Sequence, residues 1–235
     1  MNIDEVMAAL KGFGDEGIKK ILMKHGVKEP LFGVKVEHLK TIQKKVKMDH
    51  QLALGLYATG NADAMYLAGL VADDGKMTRE DLRLWARQAV SNNISEYTVP
   101  WVAAGGHYGM ELGLEWIDAA EEHIAATGWA TLSNLVAFLP DEKLDIPALK
   151  GLLERVERDI HSAANRVRYT MNGFVIAVGA YVAALSEDAG ATAGKIGKVT
   201  VEMNGTACKV PDAEAYIAKV LDKSDVGKKK KKLKC

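Results

Sequence analysis

The chain has 235 residues, of which 48% are hydrophobic and 26% charged, enough to bury a substantial core as one domain or two small ones. No apolar run reaches the length of a bilayer span, and residues 1–10 carry Asp4 and Glu5 where a signal peptide would be basic and then apolar. Two cysteines, Cys208 and Cys235, with no CxxC spacing cannot form a disulfide framework, so a reduced, cytoplasmic protein is expected.

Net charge is zero, but its distribution is uneven. Residues 11–47 hold ten Lys against four acids, residues 48–160 hold eight basic residues against eighteen acids, and residues 223–235 hold seven Lys against one acid. A polyanionic partner is therefore expected to meet one face or rim, not the whole surface.

Helical periodicity runs through most of the chain. Ile18, Ile21, Leu22 and His25 form an i, i+3, i+4, i+7 stripe, and Val36, Leu39, Ile42 and Val46 form another. The second helix carries Lys40, Lys44 and Lys47 on its opposite face. Gly60-Asn61 reads as the stop of one helix and the start of the next, which is short and buried from Ala62 to Val71. Thr78 and Asp81 have capping-box spacing, with Met77 and Leu82 at staple positions. Helices are predicted at about 95–106, 109–125, 128–139, 147–161 and 165–185, with Pro147 in a first turn. Helices of this length joined by short turns predict an all-α fold of stacked antiparallel hairpins over residues 1–194. Residues 199–203 and 206–210 around Asn204-Gly205 predict a β-hairpin with a type I′ turn. A short helix follows, completing an extension over 195–222. The Lys-rich run at 223–235 reads as a mobile tail that serves solubility or attaches nonspecifically to nucleic acid.

Several chemistries lack their residues. No His pairs with another at metal-binding spacing, no phosphate-binding glycine loop is present, and GxSxG is missing; no metal and no cofactor are expected. Two polar and aromatic segments remain. Residues 92–101 concentrate Glu96, Tyr97 and Trp101; the plainer interpretation is a helix start capped by Ser95 with Trp101 in the core. Residues 165–174 place Asn165, Arg168 and Asn172 on one helix face, with Phe174 inward and Gly173 allowing close approach of a backbone or ligand. That polar face suits phosphate contacts or plain solvation.

Residues 31–40 (LFGVKVEHLK), 52–57 (LALGLY) and 64–73 (AMYLAGLVAD), followed in order by Trp85, the 95–101 segment and the 165–174 helix, resemble the DNA alkylation repair family over residues 5–190. That resemblance implies a HEAT-like α-solenoid whose concave basic face holds duplex DNA, alkylated or not. It also implies excision of cationic N3- or N7-alkylated purines, with two Trp and an Asp lying against the deoxyribose. A carboxylate and aromatic faces there would stabilise the positive charge that develops as the glycosidic bond breaks. In this chain the first Trp falls on Glu96, the catalytic Asp on Pro100 and the second Trp near Phe174. The resemblance thus leaves Glu96 as a substitute carboxylate, with Tyr97 and Phe174 as aromatic walls. Lys40, Lys44, Lys47, Arg166, Arg168 and Asn172 are the expected DNA contacts, with Lys228–Lys234 adding affinity. A catalytically inactive protein-interaction scaffold is the alternative.

Overall fold

The computed structural model of the chain describes residues 1–223 and 225–234; Ser224 and Cys235 lie outside the described residues. Thirteen α-helices follow one another among the described residues: α1 (Ile3–Gly12), α2 (Glu16–Lys24), α3 (Val36–Val46), α4 (His50–Ala58), α5 (Ala62–Val71), α6 (Arg79–Gln88), α7 (Val99–Gly105), α8 (Gly109–Trp116), α9 (Glu122–Phe138), α10 (Ile146–Asp159), α11 (Asn165–Tyr181), α12 (Ser186–Ile196) and α13 (Ala213–Asp222). None is long and apolar enough by itself to cross a membrane.

Polar side chains set many of the helix starts. Asn61 accepts from the amides of Asp63 and Ala64, and Thr78 and Asp81 form the reciprocal capping box their spacing predicts. Met77 and Leu82 beside that box are both buried. The carboxylate of Asp63 is itself buried and accepts from the amides of Phe32, Gly33 and Val34 at 2.6, 3.1 and 3.0 Å. It thereby fixes the loop that leads into α3.

Two apolar clusters form the interior. The first draws on α1 and α3–α8, where Tyr57 stacks on Trp85 at 3.9 Å and donates its hydroxyl to the Trp85 carbonyl. The second draws on α9–α13. Helix α9 joins them, with Ile124 in the first cluster and Trp129 in the second. The break expected near 125–128 does not occur: the helix divides earlier, between Trp116 and Glu122. Gly128 is not a breaker, because a Cβ there would lie 2.6 Å from the Ile117 nitrogen and 2.9 Å from the Gly113 carbonyl. It lets α8 and α9 touch backbone to backbone.

The C-terminal region departs from expectation in two ways. The Asn204-Gly205 turn forms as predicted, with φ of 54° and 65° and a 3.0 Å bond from the Thr206 amide to the Met203 carbonyl. The flanking residues, however, are not strands, and none occurs among the described residues. The Asn165 side-chain amide takes both backbone groups of Glu202, accepting at 2.7 Å and donating at 2.9 Å. Val199 and Val201 are buried in the second cluster. Tertiary partners thus occupy the groups a ladder would use.

The Lys-rich tail is docked. It runs over the C-terminal ends of α11, α9 and α5 in turn. The Gly227 amide donates to the Ala180 carbonyl, the Lys230 amide to Ala137, Lys229 Nζ to Val136, and Lys234 Nζ to Ala72. Helix C-termini leave carbonyls without partners and carry the negative end of the helix dipole. Two backbone amides and two lysine ammonium groups supply donors there, and the ammonium groups also oppose the dipole.

Candidate nucleic-acid interface

Helix α3 presents Lys40 and Lys44 at i and i+4 on one face, and Lys47, at its C-cap, lines the same cleft. The docked tail brings Lys231, Lys232 and Lys234 opposite them across a cleft of about 880 Å³, closed below by Leu70, Asp74 and Phe138. Lys234 is neutralised by Asp74 at 2.6 Å. Lys40, Lys44, Lys47, Lys231 and Lys232 have no ion pair among the described residues, so five uncompensated cations converge there. Burial raises the Asp74 carboxyl to about 6, although Lys234 draws it down.

Lys47 stands in an unusual backbone conformation, with φ 58° and ψ −145° at the C-cap of α3. That region favours glycine.

The tail divides the lysine cleft from a second cavity: Lys231 lines the first, and its neighbour Lys230 the second. The second cavity, of about 280 Å³, is walled by Tyr97, Trp101, Tyr169, Tyr181 and Tyr216, with Ser133, Asn134 and Gly173 at its base. Tyr97 is 44% exposed and Tyr216 49%. The Tyr97 hydroxyl is pushed up to about 12, chiefly by burial, with Tyr169 and Glu96 adding. A third cavity, of about 320 Å³, shares Glu96, Tyr97 and Tyr169 with the second and continues past Arg166 to the 203–209 turn. There the Cys208 Sγ lies 3.7 Å from His25 Nδ1.

Glu96 and Tyr97 sit in a π-helical turn, Ile94–Thr98, that runs directly into α7. Its hallmark is the bond from the Val99 amide to the Ile94 carbonyl, five residues back. Pro100 explains the irregularity, since proline offers no N–H to the carbonyl four residues earlier and its ring would collide with it. Ser95 lies inside this turn and does not cap it, whereas Trp101 is buried as the plainer interpretation expected.

The turn aims Glu96 at α11, where Arg166 meets it in a two-pronged bond, 2.6 Å from Nε to Oε1 and 2.6 Å from Nη2 to Oε2. The pair is nearly enclosed, at 3% side-chain exposure for Glu96 and 15% for Arg166. Burial raises the Glu96 carboxyl against the pull of Arg166. For Arg166 burial is again the largest single influence and lowers it, but the hydrogen bond and charge of Glu96 together hold the guanidinium above its ordinary value. The guanidinium also stacks 4.4 Å over the Tyr169 ring.

The remaining expected site residues are not in the cleft. Phe174 is fully buried edge-on to Trp129 at 5.3 Å and lines none of these three cavities. Asn172 is buried, and its amide donates to the Pro211 carbonyl. Arg168 is half-buried two residues round from Arg166, with an enclosed Nε that has no hydrogen-bond partner. The groove face of α11 carries Arg166, Tyr169, Gly173 and Ala177, not the Asn165–Arg168–Asn172 face. Tyr181 and Tyr216 were not anticipated. The Tyr169, Gly173, Ala177 spacing is the signal in the sequence that marks the open face.

The comparisons agree with this architecture. The profile of the family described as DNA alkylation repair enzyme matches residues 6–189. The uncharacterised protein Lin0241 of Listeria innocua is 31% identical over 225 residues, covering 93% of this chain and 97% of its own. Lmo0209 of Listeria monocytogenes, also uncharacterised, is 30% identical over 230 residues, covering 95% and 99%. A solved structure, 32% identical with a TM-score of 0.92, covers both chains completely; it represents a new family of proteins related to the HEAT-like repeat DNA glycosylases with affinity for branched DNA structures. All-helical and matched over most of its length, the chain belongs to the DNA alkylation repair enzyme family.

Proposed function

We propose that this protein binds DNA through the phosphate backbone in the lysine cleft and prefers branched over linear duplexes. One observation carries the proposal: five lysines without an ion pair among the described residues, from α3, its C-cap and the tail, line a single cleft although far apart in sequence. Lysine ammonium groups are point charges suited to phosphates and carry no base readout of their own. The branched preference is supported by the affinity attributed to the structural relative. A competition between a four-way junction and a linear duplex of equal length tests it. The junction should win by roughly tenfold, about 1.4 kcal/mol, and Lys44→Ala/Lys47→Ala should weaken both. Equal affinity for the two forms would remove the branched preference.

Excision of alkylated purines would have to be carried by Glu96, the one carboxylate beside Tyr97. The guanidinium of Arg166 engages both of its oxygens, which cancels most of the field a cationic transition state would need. A binding protein without glycosylase activity is therefore the favoured form, and methylated duplex incubated with it should release base no faster than the buffer control. Release that disappears in Glu96→Gln would restore the enzyme.

A further inference from the structure

We propose that the aromatic cavity beside the lysine cleft takes one unpaired nucleobase, supplied where a strand leaves its duplex, a proposal that rests on phosphate binding in the cleft. Its volume of about 280 Å³ lies just below the range of about 300–1,000 Å³ typical of drug-sized ligands, so it admits one ring system and not a helix or a folded peptide. Tyr97 and Tyr216 show 44% and 49% of their surface to solvent although both belong to ordered helical segments. Rings offered this way stack with any base, because every base has a π face. The base of the cavity is not purely apolar. Asn134 gives one amide N–H to the Ala130 carbonyl and Ser133 donates to Trp129, which leaves an acceptor oxygen on both side chains, and a second N–H on Asn134, for the polar edge of a base.

Two further features favour a nucleotide over an uncharged aromatic compound. Lys230 lines the cavity, and the next residue, Lys231, lines the lysine cleft, so a base in one lies beside phosphates in the other. Glu96, at the edge, is held by Arg166 and does not repel them. Gly173 keeps the space open. It sits within α11, and a Cβ built on it meets nothing within 4 Å, so a larger side chain would enter the cavity without straining the helix.

The test uses the full chain and two DNA probes: a duplex with a single bulged 2-aminopurine, and the same duplex with that base paired. The wild type should bind the bulged form roughly tenfold more tightly and quench its fluorescence as the base stacks. Gly173→Leu, which fills the cavity, and Tyr216→Ala, which removes an exposed wall, should each bring the two affinities together and abolish quenching while binding the paired duplex as before. Lys44→Ala/Lys47→Ala should weaken both forms in equal proportion. Wild-type binding to both probes without preference or quenching would overturn the base site alone, as would full quenching in Gly173→Leu. Failure to bind either probe would overturn phosphate binding in the cleft and the base site with it.

Discussion

Lys47 holds a conformation that glycine would adopt at no cost, in a cleft where its charge adds to four others. Stability and binding should therefore move in opposite directions when it is replaced. Lys47→Gly is expected to raise the unfolding free energy by about 1 kcal/mol, the lower end of what such backbone strain costs, and to lower affinity for DNA. Urea unfolding and a binding titration on the same preparation check both signs. A second residue-scale effect concerns Asp74, whose carboxyl is raised by burial to about 6 against an ordinary 3.8. The folded state holds this proton more tightly than the unfolded chain, so the charged carboxylate costs stability above pH 6. That cost fades as pH falls from 6 towards 4. Relative to Asp74→Asn, the wild type should gain about 2 kcal/mol between pH 7 and pH 4. A constant difference between the two proteins across that interval would mean that Asp74 titrates normally.

At the scale of elements, the tail is where sequence and structure diverge most. A run of lysines in a sequence reads as solvated, because nothing local can satisfy them. Here the partners are the carbonyl ends of α5, α9 and α11, which only the folded arrangement brings into line. Deleting residues 225–235 should cost roughly 2–4 kcal/mol, given about 1 kcal/mol for an ordinary hydrogen bond and more for a charged one. A loose tail would change stability by no more than about 0.5 kcal/mol. The Lys230 amide, bonded to Ala137, should also be protected from hydrogen exchange. The β-hairpin failed for a related reason: its turn is encoded locally by Asn204-Gly205, whereas its ladder competes with the Asn165 amide thirty-seven residues away. Features decided within one turn of chain were legible, including the Asn61 cap, the Thr78–Asp81 box and the lysine face of α3. Contacts between distant elements, such as Glu96 with Arg166, were not.

For the whole molecule, the sequence shows a basic early segment and a basic C-terminus around an acidic middle, but not that the two basic segments would meet. Folding sorts the charge. The basic early helix and the basic C-terminus meet across one cleft, while much of the acidic middle is consumed in surface pairs such as Arg79–Glu111 and Arg83–Glu115. The cleft in turn adjoins the aromatic cavity, so the lysines and the aromatic rings lie side by side. The salt dependence of DNA binding tests this arrangement most directly, because each phosphate contact steepens the slope of log affinity against log salt by about 0.9 for duplex DNA. Replacing Lys44, Lys47, Lys231 and Lys232 together by Ala should flatten that slope by about 3 to 4 while the helical content stays intact. A slope unchanged by the fourfold replacement would show that DNA, if bound, lies on another face.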